Sequence, residues 1–213
     1  MVVGCCDGKG CGEFFSDRVA RRDTERYRSR GLNENAQRLV DLALQDEIDG
    51  KTVLEVGGGI GAIQLELLKG GAARTTNVEL SSAYEPYAEQ IAEEAGLGGR
   101  SDRRILDFAL NGATIAEADI VVLHKVICCY PDLERLLGEA ATHTRARLLL
   151  TFPRRALWTR AGIAGANLVQ RIRGKSFRVY VHQPAAITSI ARVHGLEPGS
   201  GHRDLVWELR EFV

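Results

Sequence analysis

One short apolar run that empties into glycines constrains this chain more than any other feature. Val53-Leu54-Glu55-Val56 is followed by Gly57-Gly58-Gly59-Ile60-Gly61 and then by the helix-like Ala62–Lys69. A strand that turns through glycines into a helix brings backbone amides close to a ligand and aims a helix N-terminus at it. A ligand rich in hydrogen-bond acceptors suits that arrangement. An acidic residue, Glu79, ends the next apolar run, 18 residues beyond Gly61. That is close to the roughly 20 residues expected for a carboxylate that receives both hydroxyls of a ribose.

Strands and helices alternate around this motif. Thr52–Val56, Thr75–Leu80, Arg103–Leu106, Ile120–Lys125 and Arg147–Phe152 read as strands. Helices are expected over Asn33 to Gln45, with Asn33 as cap, and over Ala62–Lys69, Tyr84–Ala95 and Leu133–Thr142. Such alternation predicts a parallel sheet with helices on both faces. Residues 1–13, rich in Gly and Cys and without a hydrophobic period, read as a loose segment. After Pro153 the rhythm changes. Residues 156–172 are apolar and basic at helical spacing, Phe177–Val181 is strand-like, and Pro184–His194 reads as a helix with proline in its first turn. Gly195–Gly201 and Leu205–Phe212 are two closing strand candidates. The 213 residues are read as a single domain, with an N-terminal cap over 1–48 and an insertion over 154–181.

Charge and cysteine content narrow the partners. Lys+Arg and Asp+Glu both number 28, without the basic excess of a dedicated nucleic-acid binder. No apolar run reaches the ~20 residues that span a bilayer, and Met1–Cys6 builds no charged region followed by a long apolar core. Five cysteines, four of them in two adjacent pairs, make a poor disulfide framework. The expectation is a cytoplasmic protein with a small-molecule partner, no nucleic acid and no transmembrane segment; peripheral contact with a membrane stays open.

Two cofactors compete for the glycine loop. Gly57-x-Gly59-x-x-Ala62 also fits the nicotinamide dinucleotide fingerprint, so an NAD-dependent oxidoreductase or dinucleotide sensor is one alternative; a non-catalytic cofactor- or metal-binding protein is another. Three features favour S-adenosylmethionine: an acidic Glu55 inside the strand, about 50 residues before that strand, and no second catalytic domain after the sheet. Glu55-x-Gly57-x-Gly59-x-Gly61, Glu79 and Leu106-Asp107-Phe108 resemble the class I S-adenosylmethionine-dependent methyltransferases. The resemblance implies a doubly wound α/β sheet of seven strands, mostly parallel with the last antiparallel. It implies that Gly57, Gly58, Gly59 and Gly61 pass under the methionine part of the cofactor, with Glu55 near its amino group. Glu79, with Leu80 beside it, would take the ribose, and Asp107 and Phe108 the adenine.

The acceptor side is expected at the carboxyl ends of the strands. His124 ends the fourth strand, where it stands beside the cofactor as candidate general base, and Tyr130 is a second candidate for catalysis or for lining the pocket. A carboxylate acceptor would need no base at all. The Asn/Asp-Pro-Pro-Tyr/Phe signature of base N-methylation is absent there. Residues 154–178 carry seven cations and no acid, and residues 18–38 carry a net +4. Arg154 and Arg155, with Trp158, are therefore candidate contacts for an anionic acceptor, the expected reaction being O-methylation. Leu149–Pro153, the insertion, Gly195-Leu196 and Val206-Trp207 are loosely similar to magnesium-protoporphyrin O-methyltransferases, which methylate a propionate. The apolar positions of 156–172 read as core, as a lid, or as a membrane-surface helix. Finally, Cys5, Cys6 and Cys11 offer three thiolates within seven residues, read either as a metal or redox site or as reactive thiols on a tail.

Overall fold

The computed structural model describes residues 8–213. The chain opens with α1 (Gly8–Phe14), α2 (Asp17–Arg30) and α3 (Glu34–Leu44), and then enters the sheet with β1 (Thr52–Val56). There follow α4 (Ala62–Lys69), β2 (Arg74–Glu79), α5 (Glu85–Glu94), β3 (Ser101–Ile105), α6 (Phe108–Asn111), β4 (Ala118–His124), α7 (Leu133–Thr142) and β5 (Thr144–Pro153). The last part holds α8 (Leu157–Ile172), α9 (Pro184–Val193), β6 (Pro198–Arg203) and β7 (Trp207–Phe212).

The described residues form a seven-stranded sheet in the order β3-β2-β1-β4-β5-β7-β6. β1 to β5 pair in parallel, and β7 runs antiparallel between β5 and β6. This is the doubly wound arrangement expected, with its last strand reversed. The order turns back at β1 and β4, and the crevice beyond their carboxyl ends is where such sheets take ligands.

The alternation of side chains along a strand explains the two cores. Ile120 and Val122 of β4 pack with Leu39, Val40, Leu67 and Leu149 on the α3–α4 face. Val121 and Leu123 pack with Leu136, Leu137, Ile187 and Phe212 on the α7–α9 face. α3 is capped as its sequence predicts: the Asn33 side chain accepts from the Ala36 N–H at 3.2 Å. Its far end is held by the buried Arg147, which donates to the Leu42 and Ala43 carbonyls and to Glu211 Oε1. That places a guanidinium against the unsatisfied carbonyls of a helix C-terminus.

Three expectations need correction. The segment read as loose is helical from Gly8 to Phe14, anchored by its C-terminal aromatics. Phe14 stacks on Phe177 with centroids 4.1 Å apart, and Phe15 meets the same ring edge-on. Phe177–Val181 is not a strand, because its backbone is satisfied by other groups. Asn167 donates to the Val179 carbonyl and accepts from its N–H, and the Tyr180 N–H donates to Cys128 O. The third correction concerns α8, whose apolar positions are not core: Leu157, Trp158, Leu168, Val169 and Ile172 are all exposed.

Candidate active site

A cavity of about 370 Å³ opens at the carboxyl ends of β1, β2 and β4. Its floor is the glycine loop. Gly57 has φ 68°, its N–H donates to Val78 O, and a Cβ there would lie 2.7 Å from the Val126 side chain. A Cβ on Gly58 would lie 2.4 Å from both Glu55 and Asn77. Only glycine lets the chain run this close to the polar residues beneath it. Gly61 caps α4, so the helix N-terminus faces the same space.

Glu79 sits where β2 ends and organises the loop from the side. Its Oε2 accepts from the Gly59 N–H at 2.9 Å, and its Oε1 from the N–H groups of Leu80 and Ser81 at 2.7 and 3.0 Å. Arg103 of β3 holds the loop from its other edge, donating to Gly59 O at 2.9 Å and to Glu85. Beneath the glycines, Glu55 Oε2, Gln64 Nε2, both polar atoms of the Asn77 side chain and one nitrogen of Arg103 are buried with no hydrogen-bond partner. Buried polar groups are rarely left so, and orphaned atoms beside a cavity mark a place where a ligand or water completes them. Burial pushes the Glu55 carboxyl up to about 8; Arg103 opposes that shift and Glu79 adds to it. The carboxyl is therefore largely protonated near neutrality in the free protein.

The other expected cofactor residues share this cavity. Asp107, Phe108, Leu80 and His124 line it, as do Glu55, Gly57, Gly58, Gly59 and Glu79. Tyr130 lines it too, and its hydroxyl donates to the Asp107 carboxylate at 3.2 Å, which ties the two residues together. The Phe108 ring meets His143 edge-on in the core behind.

His124 departs from the role expected of it. Its Nδ1 lies 3.2 Å from Thr151 Oγ1, and its Nε2 is buried without a partner. Burial and the neighbouring Lys125 cation depress the imidazole to about 3. A base so weak is poorly matched to proton abstraction near neutrality, so these surroundings do not favour a general base. The substrate candidates also stand elsewhere. Arg154 donates to Asp204 O and Trp158 to Leu205 O, Arg155 is exposed, and none of the three lines the cavity.

Sequence reasoning missed four polar residues here. Asn77 and Arg103 belong to neighbouring strands and meet the loop only through sheet pairing. Arg26 of α2 and Lys125 at the end of β4 place two cations on the cavity wall. Lys125 has φ 60°, a left-handed conformation held by no other non-glycine residue among those described. Its Nζ lies 4.7 Å from the centre of the Trp207 ring. Strained backbone of this kind persists where surrounding structure holds it, often at functional sites. The Cys128 and Cys129 thiols both donate to the Lys125 carbonyl, at 3.3 and 3.5 Å, and Cys128 is buried. Cys5 and Cys6 lie outside the described residues, as does the Cys11 side chain. The described residues contain no group of three or more side chains able to hold a metal.

Fold and site together define a class I S-adenosylmethionine-dependent methyltransferase. A family model described as a methyltransferase domain matches residues 25–200, and the chain belongs to that family. This resolves the choice against the nicotinamide dinucleotide. No curated protein sequence matches the chain. Among solved structures, magnesium protoporphyrin IX methyltransferase from Synechocystis PCC 6803, with bound S-adenosylhomocysteine, aligns with TM-score 0.71 at 21% identity, over 94% of this chain and 96% of that one. An O-methyltransferase family protein from Burkholderia thailandensis aligns with TM-score 0.72 at 17% identity, over 96% of this chain and 63% of that one. An O-methyltransferase family 2 protein from Planctomyces limnophilus, complexed with apigenin, gives 0.68 at 18%, over 92% and 61%. Among the described residues no helix is long and apolar enough to cross a membrane.

Proposed function

We propose that this chain methylates a carboxylate oxygen of a small anionic acceptor. The observation that carries the reading is the pair of cations, Arg26 and Lys125, on the cavity wall beside a His124 that burial keeps neutral. A carboxylate needs charge to hold it and no base to activate it; the two cations, which share the wall with Asp23, support the first part of this reading and the depressed imidazole the second.

When bound, S-adenosylmethionine supplies an activated methyl group. The glycine loop and the Glu79 carboxylate would form the cradle for it, and Asp107, held by Tyr130, would take the adenine end. Glu55, beneath the loop, would face the cofactor's ammonium group, its proton passing to solvent as the pair forms. Arg26 and Lys125 hold the acceptor anion, and holding two reactants in register is worth up to ~7–11 kcal/mol in favourable cases.

The test is methyl-label transfer from S-adenosylmethionine into fractionated anionic metabolites. A methyl ester releases its label as methanol in mild alkali. Label that survives alkali would overturn the carboxylate assignment and leave methyl transfer intact. A narrower reading takes the carboxylate as a porphyrin propionate. It is favoured by the nearly end-to-end match to the Synechocystis enzyme, and labelled ester on magnesium protoporphyrin checks it directly.

A further inference from the structure

Helix α8 is mounted inside out. Around its axis at 100° per residue, Leu157, Ala161, Gly165, Leu168 and Ile172 share one broad face with Trp158 and Val169. That face points away from the protein: Leu157 is 78% exposed, Ile172 76%, and Trp158 and Leu168 57% each. The opposite stripe is the one that touches the domain. Thr159 is buried, Ile163, Asn167 and Gln170 are half-buried, and Asn167 is clasped to the Val179 backbone. An ordinary surface helix does the reverse. At its N-terminal end the apolar face continues onto Leu205, 69% exposed, whose carbonyl accepts from the Trp158 indole.

The charges around that face select its partner. Residues 154–178 carry seven cations and no acid. Arg155, Arg160, Arg171 and Arg173 are exposed and have no ion-pair partner among the described residues. Arg160 and Arg171 lie along one border of the apolar face, three residues after Leu157 and Leu168. A second copy of this chain would bring the Arg160 and Arg171 border of one face against the same cations of the other, so self-association through α8 is disfavoured. The helix is also open along its outer side, with nothing within 4 Å of a Cβ on Gly162 or Gly165. An apolar stripe bordered by long cationic side chains is the pattern of a helix lying in the headgroup layer of a bilayer, its apolar face buried and its cations on lipid phosphates.

We infer that α8, with Leu205, docks this protein on the surface of an anionic lipid bilayer. The inference stands apart from the choice of acceptor. It has a positional consequence, since the chain following α8 packs Phe177 against Leu80, Cys129 and Tyr130, which line the cavity. Docking therefore brings the cavity close to the headgroup layer.

Flotation with phosphatidylcholine vesicles, with and without phosphatidylglycerol, tests this. The wild-type chain is expected to float with the anionic vesicles and to be released by salt. Leu157→Ser with Ile172→Ser, and separately Arg160→Gln with Arg171→Gln, should each weaken partitioning by about tenfold or more. These positions are exposed, and an unchanged S-adenosylmethionine affinity confirms that each variant is folded. Vesicles should also shift Trp158 emission to the blue, a shift lost in Trp158→Phe. Absent flotation, or equal flotation by all three proteins, overturns the inference. So does a concentration-dependent dimer in light scattering that the Leu157→Ser and Ile172→Ser pair abolishes, since a second copy then covers the face.

Discussion

The glycine loop and the 154–181 segment are built on opposite plans. The loop is pinned from every side: Gly57 to β2, Gly59 to Glu79 and to Arg103, and Gly58 to the residues beneath it by contact alone. The segment leaves the sheet after Pro153, turns an apolar face outward, and closes its backbone on a side-chain amide. A ligand shared across a whole family demands fixed amides and fixed carboxylates. A segment that meets something outside the domain has no such internal template. The contrast teaches that tight packing here surrounds the cofactor cradle, while the outer face of α8 has nothing of the chain packed on it.

The largest effect should separate two glycines. Gly58→Val forces a branched side chain into atoms 2.4 Å from its Cβ, and should weaken S-adenosylmethionine by about a hundredfold or more in calorimetry. Gly165→Val on α8 meets nothing within 4 Å and should leave that affinity unchanged. Comparable losses in both would erase the distinction between the regions.

Next comes Glu79→Ala, which strips three N–H groups of their acceptor. Loss of a charge-assisted contact worth ~1.5–3 kcal/mol corresponds to about a ten- to hundredfold weaker cofactor. Smaller again is the pairing of Lys125→Gln with Arg155→Gln. If the cavity wall holds the acceptor, the first should raise its KM by about tenfold while the exposed Arg155 changes it by less than about twofold. The reverse ranking would move acceptor recognition to the outer segment.

The smallest effect is graded with pH. An ordinary carboxyl titrates near 4.5, and Glu55 in the free fold is raised to about 8. Between those values the folded protein binds more protons than the unfolded chain, so this residue makes stability fall as pH rises from about 4.5 toward 8. Glu55→Gln should flatten that slope and raise the melting temperature of the free protein at neutral pH. Cofactor binding should run the other way. If the bound ammonium ionises Glu55, affinity climbs as pH approaches 8 and levels above it, and Glu55→Gln loses that climb. An identical pH profile in both proteins would remove Glu55 from cofactor recognition.

How much of this was legible in sequence follows from where the determining contacts lie. β1, the loop and α4 are consecutive, so local rules place them to the residue. Glu79 was reached from its spacing to the glycines and Asp107 through the family resemblance, and both line the cavity because their strands end at the same edge of a parallel sheet. Arg103 and Asn77 were missed because only sheet register brings them under the loop, and Arg26 because helical spacing does not say what a cap helix leans over. Phe177–Val181 has strand composition, and no periodicity could reveal that Asn167 would satisfy its backbone. In α8 the amphipathic pattern was visible, but a pattern marks a boundary between two environments without saying which one is the protein.

Both ends of the 154–181 segment are fastened near one strand. The Arg154 N–H donates to Val206 O just before β7, and Arg210 of β7 reaches the Pro184 carbonyl and Thr188. No residue from 154 to 183 lines the cavity. The excursion therefore starts and finishes on the same beam, and lengthening it costs closure entropy only logarithmically. This makes α8 a natural cassette. A foreign outer face grafted onto α8 alone, with Asn167 and Phe177 kept, would change what that face meets while Phe177 stayed on Leu80, Cys129 and Tyr130 at the cavity wall.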